Sequence, residues 1–412
     1  MKKIYYITAV FATLFLVGCG DGIDLPGVNV ETDLNKIPLP DNNVNLEQVE
    51  LKPSTEPMLH EGLHTEEDFQ RIRDKKAAGE EPWVSAYQLL VESQFSQKTA
   101  DTYPTEWIKR GVSGDENYMN AARGATIAYQ QALRWKIEQD DEYAAKAVEN
   151  LNKWVQTCVG VTGNTNLSLA AGLYGYEFAI AGELLRDYEG WDRADFAAFQ
   201  NWLLKVFYPA NDDFLKRHHD TNALHYWANW CLCNIAAKMA IGIVTDRRDI
   251  YNEGIDHLQT GDTNGRLRRA IYHDYAPDYN FAQWQESGRD QGHTLMCVGL
   301  MGVICQLAWS QGDDFFAYDD NLFMRACEYA ACCNYTNETV PYTTYIWQKQ
   351  SQWGYPIPEE QTTLGGGKWI KRAIWALPYY HYKGVKDISD DNLKYTKTVS
   401  YTHLRAHETG AY

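Results

Sequence analysis

Two stretches of the chain concentrate groups able to bind anions and move protons. The first reads Arg217-His218-His219-Asp220-Thr221-Asn222-Ala223-Leu224-His225-Tyr226-Trp227-Ala228-Asn229-Trp230. The second reads Gln283-Trp284-Gln285-Glu286-Ser287-Gly288-Arg289-Asp290-Gln291-Gly292-His293. In the first, a helix running from Leu224 would put His225 and Asn229 on one face at i, i+4. Zinc needs two histidines, or a histidine and a carboxylate, at that spacing, and Asn is a poor ligand. The bland alternative is a set of caps and buried hydrogen-bonders. Otherwise the pattern suits carboxylate binding or proton transfer.

In the second stretch, Glu286, Arg289 and His293 fall at i, i+3 and i+7, one polar stripe if the segment is helical. Arg offers a planar fork for a carboxylate, and His titrates near neutral pH. Gly288 and Gly292 also permit a loop that enters a helix at His293. The bland reading is a Glu–Arg pair capping that helix. A glycosidase would need Glu286 and a second acid across a cleft, with Glu183, Asp220, Asp274 and Asp290 as possible partners. Around these groups, His218, Trp227, Gln283, Trp284 and Gln285 are expected to line the substrate. Tyr226, Tyr272, Tyr275 and Tyr279 lie close in sequence. A later cluster joins Trp375 to Tyr379-Tyr380-His381-Tyr382.

Helices must position these groups. Thr65-Glu66-Glu67-Asp68 reads as a capping box, and Pro82-Trp83 opens the next helix. Apolar residues at i, i+3 and i+4 mark helices over 119–137, 143–155, 167–185, 196–207, 228–243, 294–309 and 322–333. Strand-like alternation is confined to 342–347. Paired amphipathic helices joined by short polar turns predict an all-α fold, an (α/α)n toroid or incomplete barrel of helical hairpins over residues 58–394. From 395 to 412 the helical period is lost, and the segment reads as a non-native scar.

The 412 residues allow a large core, and the net charge of -17 argues against nucleic acid. A local basic pocket can still receive a polyanion. The 14 Trp and 28 Tyr exceed what a minimal core needs, and aromatic faces also stack sugars. Lys2 and Lys3, an apolar run and Leu16-Val17-Gly18-Cys19 read as a lipoprotein signal over 1–19, with Cys19 as the lipid anchor. Residues 20–57 read as a flexible tether. That address implies an exported protein held on the outer membrane, and a monomer is expected. The other eight cysteines sit in apolar helical patterns and are expected to be buried thiols, with no zinc spacing among them.

With both stretches in view, the chain resembles the alginate lyase family of polysaccharide lyases. The similarity rests on the His218-to-Trp230 and Gln283-to-His293 motifs, with His64-Thr65-Glu66-Glu67-Asp68 and Glu80-Glu81-Pro82-Trp83 near the start, and spans roughly 60–382. The resemblance implies a helical toroid whose cleft binds an acidic polysaccharide. It also implies cleavage by β-elimination without an obligatory metal or cofactor. Such a reaction must neutralise the uronate carboxylate, take the C5 proton and protonate the departing O4. Asn229 and Arg289 are then expected neutralisers, His219, His225 and His293 bases or neutralisers, and Tyr226 the acid. The polymer expected is alginate. The alternatives are another polyuronate such as glucuronan, a hydrolase using Glu286, and a glycan-binding lipoprotein without catalysis.

Overall fold

Helices form where the apolar residues recur with the helical period, and their caps fall where the short polar residues stand. In the computed structural model, residues 54–402 are described, together with Asn42, Val44 and Leu46. These lie in the compact unit Pro40–Tyr412. Helix α1 (Glu66–Ala77) begins at the expected capping box, Thr65 and Asp68 each accepting the other's backbone N–H. It is followed by α2 (Trp83–Glu92) and strand β1 (Trp107–Arg110). Next come α3 (Tyr118–Glu138), α4 (Asp141–Thr157), strand β2 (Gly160–Gly163) and α5 (Asn166–Leu184). Helices α6 (Arg193–Val206), α7 (Tyr208–Arg217), α8 (Ala228–Val244) and α9 (Arg248–Thr260) lead to the one-turn α10 (Leu267–Ala270). Strands β3 (Ile271–Asp274) and β4 (Ala282–Trp284) precede α11 (Gln291–Ser310) and α12 (Tyr318–Tyr335). The ribbon β5 (Tyr345–Gln350) and β6 (Pro356–Gln361), then α13 (Ala376–Tyr380) and α14 (Lys394–Thr402), complete the order.

The expected all-α toroid is the fold, with only two-stranded ribbons added: β1 with β2 parallel, β3 with β4 and β5 with β6 antiparallel. Helices α3, α5, α8 and α11 pack side by side in that order. Helices α5, α8 and α11 are apolar around most of their circumference because both faces are covered. Gly172 and Gly175 of α5 lie against Cys233 and Ala237 of α8, so the two helices rise in step and are parallel. A Cβ on Gly172 would come within 2.5 Å of Cys233 Sγ, which is why the crossing needs glycine there. The N-terminal ends of α5 and α8 therefore open on one rim, and both sequence stretches feed that rim.

Three expectations are corrected. The helix expected over 228–243 is α8, so the conditional start at Leu224, with His225 and Asn229 on one face, does not hold, and His225 and Tyr226 lie in the preceding turn. The strand expected at 342–347 is β5, three residues later, because residues 341–344 run as a connection pinned to Gln283 and Gln361. The region after 394 is not without helix. α14 buries Thr396, Val399 and Ser400, and Glu328 accepts hydrogen bonds from Thr396 and Tyr395. The signal and anchor expected over 1–19 lie outside the described residues. Within the expected tether, Asn42 exchanges hydrogen bonds with Ile346, and Arg248 and Asn252 donate to the carbonyls of 54–57, so those positions are held against the domain. The eight cysteines are free and buried, as their apolar settings suggested.

A cavity of about 290 Å³ lies among α3, α5 and α11, closed by residues 372–374. Glu177 reaches it with Oε2 buried and without a hydrogen-bond partner, and burial raises its pKa to about 8. The sign follows directly. A carboxyl whose folded pKa exceeds its unfolded value stabilises below about 4.5, and that stability is lost as pH rises through about 8. Glu177→Gln cannot ionise, so it should gain on the wild type between pH 5 and 8.5. The gain is on the order of 2 kcal/mol once partial solvent exposure is discounted. Urea midpoints at the two pH values measure it, and equal differences at both would show that Glu177 ionises freely.

Candidate active site

The rim is organised by the start of α8. Its N-cap, Trp227, supplies no side-chain cap. Its first two N–H groups would be orphaned in a buried place, a costly condition. The second stretch supplies both partners: Gln285 Oε1 accepts from Ala228 N (3.0 Å) and Glu286 Oε1 from Asn229 N (3.2 Å). The negative carboxylate also suits the positive end of the helix. Residues 57 positions apart are thereby locked together.

From this cap the charged groups fan outward. Arg289 Nη1 donates to Glu286 Oε2 at 3.3 Å, and its guanidinium lies 5.2 Å from the centre of the Trp227 ring. Asp290 is the N-cap of α11. Its Oδ1 accepts from His293 N (2.8 Å), while Oδ2 lies 2.6 Å from His293 Nδ1. A carboxylate can only accept, so Nδ1 carries a proton, and in the neutral imidazole Nε2 is then the acceptor. That imidazole is 39 % exposed. Histidine bonds to Asp290 hold the carboxyl below its usual range against the opposing effect of burial. Glu286 is fully buried, which raises its pKa while Arg289 and His293 oppose the rise.

The first stretch is shaped by strain and by β5. His218, His219 and Asp220 all have φ between +51 and +60, a left-handed turn made without glycine. The turn leaves His219 Nε2 3.0 Å from Ser168 Oγ on α5. Tyr226 stands between His219 (ring centroids 5.7 Å) and His225 (4.9 Å). Asn222 donates to Gln348 O and Gln350 Oε1, fastening the loop to β5. His225 Nδ1 accepts from the Gln350 N–H (2.9 Å), and its ring stacks on Trp347. A backbone N–H can only donate, so His225 carries its proton on Nε2, the tautomer opposite to that of His293. Burial lowers the pKa of both His219 and His225. Trp347 packs on Trp227 at 5.0 Å, and Arg289 lies over Trp227, so the layer is continuous from His225 to Arg289.

The two stretches thus meet, and the side chains divide by accessibility. His219, His225, Arg289 and His293 are partly exposed, while Tyr226 and Trp227 are each 8 % exposed. Others among the expected site residues belong to the frame. Trp284 is fully buried and donates to Ala326 O. Gln283 is fully buried, bonded to Tyr272, Tyr275 and Thr343. Gln285 and Glu286 are the buried caps of α8. His218 is buried beside Phe214, with Nε2 unpartnered. Asn229 is 1 % exposed because the helix starts at Ala228; its Oδ1 is buried without a partner, and its main chain serves Glu286. The expected stripe of Glu286, Arg289 and His293 on one helix is broken by a 3₁₀ turn at Gln285–Gly288. The Tyr379–Tyr382 cluster lies elsewhere: His381 stacks on Phe316 and Tyr382 donates to Phe316 O. Ser168 and Gln350 were not singled out by their sequence setting, and Asp290 only as a possible acid partner of Glu286. Asp290 alone had a signal, a carboxylate three residues before a helical His.

The family model for alginate lyase matches residues 72–338. The chain belongs to the alginate lyase family. It is accordingly a polysaccharide lyase. Among solved structures it is similar to a histidine-to-alanine variant of alginate lyase A1-III, from Sphingomonas species A1, complexed with a tetrasaccharide. The TM-score is 0.55 at 14 % identity, covering 83 % of this chain and 95 % of that one. An alginate lyase from Bacteroides ovatus gives TM-score 0.53 at 13 % identity, covering 85 % and 96 %. At such identities these likenesses speak for the fold. Comparison with curated protein sequences finds no match.

The capping role separates two substitutions in this lyase. Glu286→Gln keeps an acceptor for Asn229 N and should retain the fold and turnover within about tenfold. Glu286→Ala orphans that N–H and strands Arg289, at a cost of about 1–3 kcal/mol. Thermal melting and rate measurements on both check this. Complete loss of turnover in a fully folded Glu286→Gln variant would instead make Glu286 a proton donor.

Proposed function

We propose that the enzyme cleaves alginate by β-elimination, with His293 as the base that removes the uronate C5 proton and Arg289 as the group that neutralises the adjacent carboxylate. The observation that carries the reading is the Asp290–His293 pair, 2.6 Å apart, on the residue next to Arg289. In the neutral imidazole it leaves the partly exposed Nε2 as the proton acceptor, four residues after Arg289. A uronate C5–H is a poor acid next to an ionised carboxylate, because removal of the proton creates a dianion. A guanidinium that bonds the carboxylate stabilises that charge as it forms.

His225 is fixed as an Nε2–H donor, so it suits binding of a substrate oxygen better than abstraction of a proton. Tyr226, between His219 and His225, is the acid we assign to the departing O4. The expectation that Asn229 contacts the carboxylate gives way to Arg289, since the amide is buried. Membership of the family and the likeness to a lyase complexed with a tetrasaccharide support a sugar polymer as substrate. The reading also keeps the Cys19 anchor, export to the outer membrane and a monomeric state.

The test is the near-ultraviolet absorbance of the new C4–C5 double bond, followed over a panel of alginate, glucuronan and neutral polymers. Alginate should give the signal; reducing ends without absorbance would make the enzyme a hydrolase, and binding without either would make it a glycan-binding protein. Asp290→Asn keeps an acceptable N-cap but loses the anionic partner of Nδ1, so turnover should fall about 10²-fold or more with melting nearly unchanged. Arg289→Ala should lower turnover at least as far. Wild-type rates in Asp290→Asn would remove His293 as base.

A further inference from the structure

Arg110 is half-buried on β1, on the same rim, and its setting differs from that of most arginines in the chain. In a protein of net charge -17, Arg73, Arg134, Arg186, Arg268 and Arg325 all pair with carboxylates. Arg110 makes no ion pair among the described residues, and its Nη1 is buried without a hydrogen-bond partner. A buried guanidinium N–H with nothing to donate to is a standing cost that an anionic ligand would relieve. The neighbouring acids are engaged elsewhere: Asp115 with Lys109, and Glu116 with the N–H of Gly111.

The guanidinium lies 4.6 Å from the centre of the Tyr118 ring, at the first residue of α3. Tyr118 stacks on Tyr174 at 6.5 Å, and Tyr174 is part of the wall of the central cavity. On the other side, Arg110 pairs in register with Gly163 of β2. Gly163 sits so close, with φ +141, that a Cβ would strike the Arg110 carbonyl oxygen. Two residues on, Thr165 hydrogen-bonds to Tyr226 and His219. Arg110 is thus linked through Gly163 and Thr165 to Tyr226, the acid assigned above.

We infer that Arg110 forms a second anionic-sugar subsite, in which the guanidinium, held over the Tyr118 ring, binds the carboxylate of a uronate unit outside the pair being cleaved. A fork donor fixed by an aromatic ring and lacking a carboxylate partner of its own suits the carboxylate of a uronate. The inference rests on the proposed action on a uronate polymer, but binding tests it separately from turnover.

The experiment compares wild type, Arg110→Ala, Arg110→Lys and Tyr118→Ala. Affinity for sodium alginate is read by retardation in alginate-containing native gels, and KM and kcat by absorbance on alginate and on defined short oligomers. Arg110→Ala should raise KM on alginate about tenfold, the loss of one charge-assisted contact, with kcat within about threefold. Arg110→Lys should recover part of the affinity, the salt dependence of binding should weaken in Arg110→Ala, and oligomers too short to reach the subsite should show no change. Neutral polymer in the gel should retard no variant differently. Unchanged KM and retardation in Arg110→Ala would overturn the subsite. So would a melting loss shared by Arg110→Ala and Arg110→Lys that accounts for the lost affinity, since that marks a structural arginine. A wild type that is retarded by alginate in an Arg110-dependent way yet produces no absorbance would sink the lyase reading and leave the subsite standing.

Discussion

The start of α8 cannot be buried unless something accepts its first N–H groups, and the residues that accept them come from a segment folded separately in sequence. Gln285 and Glu286 reach Ala228 N and Asn229 N. Once they do, little else on the rim is free to vary. Arg289 is aimed by Glu286 and Trp227, Asp290 is placed to cap α11, and His293 is placed by Asp290. A requirement of backbone hydrogen bonding thus becomes the geometry of a site. The same side chains could be moved on a flexible loop only by losing the pre-organisation that electrostatic stabilisation of a dianion demands.

The ribbon β5–β6 is the second positioning device. It closes on the first stretch from more than 120 residues away, through Asn222, the Gln350 N–H on His225 and Trp347 on Trp227. A histidine beside a backbone N–H and a histidine beside a carboxylate are chemically different reagents. The fold makes one a donor and the other an acceptor at Nε2 while leaving their composition identical.

Much of the scaffold is legible from apolar period and caps, because local pattern and final packing agree: the box at Thr65, the helix after Pro82, and the inner helices all follow it. Helices α7 and α9 were missed, being short, polar and set by packing against α8. The site was legible as two segments but not as geometry. Sequence cannot tell that Trp284 and Gln283 turn inward, since an aromatic and an amide look alike whether they face sugar or core. The burial of Asn229 was not legible, because the cap that holds the start of α8 lies 57 positions downstream. The left-handed turn at His218–Asp220 has no glycine to announce it.

The parallel rise of α5 and α8 carries an electrical result. Their peptide dipoles add rather than cancel, and each presents its positive end at one mouth of the ring. Helices α3 and α5 begin there without a side-chain cap, so their partial charges are not quenched by a local carboxylate. A chain with 55 acidic against 38 basic side chains can in this way keep a repulsive exterior and still draw a negatively charged strand towards one opening.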